Sequence, residues 1–292
     1  MVHSRKKLSA ALNSCAYALM LLIAWLPPPV YSESVDTLVY QISTQAHFPP
    51  YHWYDNENNK PRGYTHKVMT LLGEQLNFKL KIKENDYSSE VVAKMVVDGM
   101  ISGDTDIAFA PLFAVPVDEV IVVETPIYFI QTKIFFRKDK PIDYRKWQDL
   151  EPYVGGYLDN YAIAGEANFD NYAKQSLTLK RYPSYQHMVK ALLGGEVDYL
   201  LGMNKPVWFE LQLLGERAAV GTADTAITQL DIHLLISKAS PLATKAKQVS
   251  DLLMSYRNSG RMSTLINKSM LGHLTYRKAA ERKVASGAQQ SP

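Results

Sequence analysis

Apolar and polar positions along this chain alternate on two periods, and their order predicts strands and helices in turn. Thr37–Ser43 reads as a first strand and Gln45–Trp53 as the loop at its carboxyl end. Asp55–Arg62 is a polar turn. A helix then starts at Gly63-Tyr64-Thr65, with Val68, Leu71, Leu72 and Leu76 at the spacing of one buried face. Phe78–Ile82 alternates with the period of a strand, and Asp86-Tyr87-Ser88-Ser89-Glu90 supplies N-cap chemistry for a helix to about Ile101. The stretch Asp104–Tyr128 holds two apolar strands, Ile107–Ala110 and Val120–Val123, around a turn with Pro111 and Pro116, and ends in Thr-Pro-Ile-Tyr. Such short apolar runs fit strands covered on both faces.

After a strand at Gln131–Phe136 the alternation restarts. Strands are expected at Val154–Tyr157, Leu177–Arg181 and Asp198–Leu201, and helices at Ala162–Lys174, Ser184–Leu193 and Pro206–Leu213. Ile232–Ile236 is a further strand, followed by an amphipathic helix over Ala239–Asn258 and a shorter one near Met262–Met270. Strand and helix in regular turn predict α/β units with parallel sheets and crossovers. From Arg277 the sequence is polar, and residues 273–292 are expected to be a disordered tail.

The amino-terminal stretch changes the charge picture. Arg5, Lys6 and Lys7 precede an apolar run, Ala16–Leu26, which Pro27-Pro28-Pro29 ends, and Val30-Tyr31-Ser32 is a plausible cleavage site before Glu33. Residues 1–32 therefore read as a secretory signal peptide, too short in its apolar part to be a comfortable membrane anchor. Without its three bases, the rest of the chain balances 29 basic against 29 acidic residues, so its charge gives no reason to expect nucleic-acid binding. The single cysteine, Cys15, lies in that leader, which leaves the remainder without disulfide, thiolate metal site or cysteine nucleophile.

Several short motifs acquire meaning from their order. Phe48-Pro-Pro-Tyr51, Gly63-Tyr64, Asp86-Tyr87-Ser88, the strand after Asp106 and the Pro126-Ile127-Tyr128 step occur in sequence. In this the chain resembles the periplasmic solute-binding proteins of family 3, the amino-acid-binding type of the ABC importers, over about residues 37–272. The resemblance implies a two-lobed periplasmic binding protein fold of type II, each lobe a mixed sheet flanked by helices. It implies lobe one over 33–127 plus 231–272 and lobe two over 131–227, with crossing segments near Ile127–Gln131 and Thr228–Asp231. A small-molecule ligand would bind between the lobes, and a membrane permease or receptor would recognise the closed form.

The residues this resemblance places at the ligand are Gln45, Phe48, Tyr51 and Tyr87 on lobe one, together with Ala110, Asp118 and Tyr128. On lobe two they are Asp159, Asn160 and Asn204. Phe48 and Tyr128 would serve equally as core packing, Tyr51 and Trp53 as structural aromatics, Asp118 as a turn residue and Asp159 as a helix cap. The family's carboxylate-binding Arg has no counterpart: no Lys or Arg occurs between Lys94 and Lys133, and Val117 or Asp118 stands at its place. Its amino-group anchor falls on Met203 or Asn204, and its Ser-Gly-Thr loop on Leu158-Asp159-Asn160-Tyr161. The scaffold is expected to be kept and the usual recognition of an α-amino acid lost.

No G-x-S-x-G, H-E-x-x-H, P-loop or G-x-G-x-x-G motif occurs. The expectation is therefore a non-enzymatic, monomeric binding protein of the periplasm, without cofactor or metal and with no membrane span in the mature chain. The alternative is a degenerate module acting as a receptor or sensor partner or as a periplasmic enzyme.

Overall fold

The computed structural model describes residues 35–43, 47–85, 89–111, 118–159, 163–164 and 166–288. The leader expected over 1–32 lies outside them. The first parallel unit is built from β1 (Asp36–Ser43), β5 (Phe78–Asn85) and β6 (Ile107–Pro111), with α1 (Tyr64–Leu76) and α2 (Ser89–Ser102) as crossovers. The second repeats the plan with β9 (Val154–Leu158), β10 (Thr178–Tyr182) and β11 (Tyr199–Met203). Its helices are α3 (Ala167–Ser176), α4 (Tyr185–Leu193) and α5 (Asn204–Leu214).

Two long strands join these units. β8 (Tyr128–Arg137) and β13 (Thr228–Ser237) pair antiparallel through their first halves, Thr228 with Thr132 and Ile232 with Tyr128. Their second halves then part. That of β8 runs between β11 and β12 (Val220–Thr222), while that of β13 runs between β6 and β7 (Val120–Val122). The result is one curled sheet ordered β10-β9-β11-β8-β13-β6-β1-β5. The architecture is two-lobed α/β, and its lobes meet where two strands cross side by side.

One aspartate in each lobe explains a sequence signal. Asp106 precedes β6, and its carboxylate accepts from the Val39 amide of β1 at 2.6 Å. Asp198 precedes β11 and accepts in the same way from Val154 of β9 at 3.0 Å. Each fixes where the third parallel strand starts against the first.

Helices cover both faces. Leu72, Val68 and Met69 of α1 pack with Leu38, Ile107, Leu234 and Val249 in the core of lobe one. Phe169, Tyr199 and Ile134 lie in one core of lobe two, and Met188, Val207 and Phe135 in another. The Glu166 carboxylate caps α3 by accepting from the amides of Asn168 and Phe169, so that helix begins at Ala167 instead of at the expected Ala162.

Two expectations need correction. The polar turn at Asp55–Arg62 is part of a small second sheet of β2 (His47–Phe48), β3 (His52–Asp55) and β4 (Lys60–Arg62). Asp55 organises it, its buried carboxylate accepting from the Asn58 amide at 3.1 Å, from Asn58 Nδ2 at 2.8 Å and from Arg62 Nη2 at 3.1 Å. Second, the chain does not lose its structure at 273, as α6 (Ala246–Asn258) is followed by α7, Arg261–Ala288. His273 and Leu274 are buried in α7, which carries it past the point where apolar content falls.

Asp55 gives a first expected result. Burial pushes its carboxyl pKa up, but the hydrogen bonds from Asn58 and the Arg62 charge outweigh it and hold the group below the ordinary value of 3.8. A lowered carboxyl pKa stabilises the fold above the unfolded value, and that stabilisation disappears as pH falls through the folded one. Asp55→Asn should cost about 1–2 kcal/mol at neutral pH. Thermal melts of the two proteins should converge below pH 3.8, and a gap that persists there would contradict the assignment.

Candidate functional site

The site begins where the two crossing strands pair, because their alternation gives one continuous face. Tyr128, Ile130 and Thr132 point to the same side of β8, and Leu230 and Ile232 to the same side of β13. On the opposite side, Gln131 and Gln229 pair through their side chains at 3.0 Å in solvent.

At the lobe-one end of that face stands a stack of rings. Tyr128 lies on Tyr51 with centroids 4.2 Å apart and planes 19° from parallel. Phe48 lies on Tyr51 at 5.3 Å and 24°. Tyr64 meets both tyrosines edge-on, at 6.5 and 5.9 Å. Two hydroxyls tie the stack to the strand: Tyr64 donates to the Ile127 carbonyl at 2.6 Å and Tyr51 to the Phe129 carbonyl at 3.2 Å. Burial pushes the hydroxyl pKa of Tyr51, Tyr64 and Tyr128 upward, so all three stay protonated at physiological pH. Tyr51 and Tyr128 are 3% and 7% exposed, their faces spent on each other. Phe48 is half-buried at the end of the stack, with His52 tilted against it at 5.6 Å.

At the lobe-two end lies a cavity of about 120 Å³. Ile130, Thr132 and Leu230 of the crossing strands form one wall, and Leu158, Leu201 and Met203, at the carboxyl ends of β9 and β11, form another. Ile163, Ala164 and Tyr185 complete its lining. This is the position where open α/β sheets receive ligands. Ile130 also packs against the lobe-one core, so the cavity and the ring stack share a residue.

The sequence-derived residues fall into three groups. Phe48, Tyr51 and Tyr128 come together, as does Trp53 with the core at 5% exposure, though it faces His273 and not the stack. Asn204 opens α5 directly after Met203 of the cavity. Its Oδ1 is buried and has no hydrogen-bond partner among the described residues. Ala110 is half-buried in β6 one position before Pro111, which pairs with Ile232 beside the crossing. Asp159 follows Leu158 of the cavity wall, but it is exposed and makes an ion pair with Arg181 at 3.6 Å.

Asp118 is not brought to this group. It sits in an exposed turn whose carbonyl accepts from Lys238 Nζ, just past the end of β13 and six residues from Ile232. At the rise of a strand that is about 20 Å from the ring stack. Gln45, Tyr87 and Asn160 lie outside the described residues. Each follows by two positions the carboxyl end of a parallel strand, β1, β5 and β9 respectively.

The cavity wall itself was not anticipated from sequence. Its one legible signal was the alternation of Tyr128, Ile130 and Thr132, which continues a single face across the crossing.

Comparison with known proteins gives the fold a context. Residues 40–272 match the model of the bacterial extracellular solute-binding proteins, family 3. A search of curated protein sequences returned no match. Among solved structures, an ancestral cationic amino acid solute-binding protein is 16% identical with a TM-score of 0.57, over 80% of this chain and 95% of that one. A binding component of an ABC transporter from Wolinella succinogenes, complexed with lysine, is 15% identical with a TM-score of 0.54, over 79% and 94%. A histidine kinase sensor domain with similarity to periplasmic binding proteins is 17% identical with a TM-score of 0.54, over 81% and 96%. At these identities the likeness is one of fold.

Proposed function

The chain belongs to the bacterial extracellular solute-binding proteins of family 3, and from that premise we propose that it is an exported periplasmic binding protein. It captures a small polar or aromatic-compatible molecule between its lobes, as a non-enzymatic monomer delivering to an ABC importer. The observation that carries this reading is the continuous face Tyr128–Ile130–Thr132, which leads from the ring stack of one lobe to the cavity of the other. Lobe one is taken as 33–127 plus 231–272 and lobe two as 131–227, turning about the paired segments of β8 and β13. A solute touching both lobes shifts the open–closed equilibrium by its differential affinity for the two states, and the closed surface is then what a membrane partner reads.

In this reading the exposed part of Phe48 meets the ligand, and Asn204 Oδ1, buried without a partner among the described residues, accepts from a ligand N–H or O–H. Tyr51 and Tyr128 support Phe48 from behind. The test is a thermal-shift panel of amino acids, amines, small peptides, sugars and aromatic acids. A ligand at about a hundred times its Kd adds roughly 2.7 kcal/mol, which is on the order of 5–10 °C for a chain of this size. Saturable stabilisation without turnover supports capture. A panel with no response in any class counts against it.

A second reading has one specific support, the shared fold with a histidine kinase sensor domain. In that case the closed form signals to a receptor. Ligand-dependent capture of a permease in one arm and of a sensor kinase in the other separates the two.

A further inference from the structure

We infer that the lobe-two cavity receives the hydrocarbon end of the ligand and rejects a carboxylate there. The inference rests on the solute-capture reading above and names the chemistry of its site.

Among the described residues, several donors around this cavity are already spent. Thr132 Oγ1 donates to the Ala164 carbonyl at 3.3 Å, and Thr228 Oγ1 donates to the same carbonyl at 2.9 Å. The Ala164 amide donates to the Asp170 carboxylate at 2.7 Å. The amide of Asp159, next to Leu158, donates to the Tyr182 carbonyl at 2.9 Å. Gly202 pairs with Lys133 in the β11–β8 ladder. The rest of the lining is Ile130, Leu158, Ile163, Leu201 and Leu230.

No cation lines the cavity either. Among the described residues the nearest on the chain are both committed. Lys133 donates to the carbonyls of Ala223 and Asp224. Arg181 pairs with Asp159 and lies over the Tyr157 ring at 5.9 Å. The segments outside the described residues after β1, β5, β6 and β9 contain no Lys or Arg, so they bring no positive charge whatever their path. A carboxylate entering here would exchange water for a mainly hydrocarbon lining with no cation to pair with, which is the costly case of burial.

A mainly apolar lining favours apolar guests. A cavity of roughly 150 Å³ holds benzene. The one here, at about 120 Å³, suits a branched aliphatic group of four or five carbons. The polar part of the ligand then points toward Phe48 and Asn204.

The test is methyl NMR on the full chain, with xenon, 3-methylbutan-1-ol and 3-methylbutanoate as probes. Xenon and the alcohol should shift the methyls of Ile130, Ile163, Leu201 and Leu230, and the carboxylate should bind at least about tenfold more weakly. Ile130→Phe, which fills the cavity from the crossing strand, should abolish the shifts. Leu230→Phe serves the same purpose if that variant does not fold. Equal binding of 3-methylbutanoate at these methyls overturns the inference and leaves solute capture standing. So does silence of all three probes when the ligand panel has found a binder. Silence in both experiments removes the solute-capture reading as well.

Discussion

Gly63→Ala should lower the melting temperature by on the order of 10 °C, the consequence of at least about 3 kcal/mol of lost stability. Gly63 holds φ 114° and ψ −177°, a region open essentially to glycine alone. Space is missing as well. A Cβ there would lie 2.8 Å from both His52 Cα and the Tyr51 carbonyl carbon, and closer still to the Tyr51 oxygen. That oxygen is already fixed, accepting from the Thr65 amide at 3.0 Å and from Thr65 Oγ1 at 3.1 Å. The backbone of Tyr51 therefore cannot retreat without losing both bonds and shifting its ring on Tyr128. The control is Gly260→Ala, at φ +71° with nothing within 4 Å of the new methyl. It carries the left-handed penalty alone, about 1–2 kcal/mol. Equal shifts for the two variants would show that the collision with Tyr51 contributes nothing. Ligand affinity should fall with Gly63→Ala and not with Gly260→Ala, because only the first disturbs the ring stack.

The parts of this fold that were legible in sequence are those governed by neighbours on the chain. Asp106 and Asp198 announced strands because each bonds the amide that starts the strand beside it. Gly63-Tyr64 announced a helix because its glycine turns a corner closed to other residues. The aromatic character of the site was legible for the same reason, since Phe48 and Tyr51 share one short loop. What was not legible depends on distant partners. The cavity draws its walls from six separate segments, and no one of them is unusual by itself. Counting forward from Asp106 gives Asp118 and counting back from Pro126 gives Val117; the structure puts Asp118 in an exposed turn two residues before Val120, which pairs with Ser237 at the end of β13. The helix beyond 273 was missed because Arg277 reads as a solvated charge until its partner, Glu210 of α5, is seen at 3.5 Å.

His273→Ala should be about as damaging as Gly63→Ala, at about 3–5 kcal/mol, the cost of emptying a large buried ring site. His273 is fully buried, with Trp53 of β3 at 4.7 Å on one side and Phe209 of α5 at 4.6 Å on the other. Trp53 belongs to the small sheet beside lobe one, and Phe209 to a helix of lobe two, so one ring joins elements that the crossing strands alone would leave apart. One turn further along α7, Arg277 reaches Glu210, whose carboxyl pKa burial pushes up and the Arg277 charge partly draws back. A double-mutant cycle of Trp53→Ala and Phe209→Ala should therefore show a coupling of about 0.5–1.5 kcal/mol. The coupling should vanish in the His273→Ala background, and its survival there would mean that another route connects the two. Under the solute-capture proposal, the consequence for function would lie in closure of the lobes. Closure by rotation about β8 and β13, as proposed, would have to carry α7 with both of its partners or slide His273 between them. Loosening that contact should then change ligand affinity through the open–closed equilibrium alone, with no residue of the cavity altered.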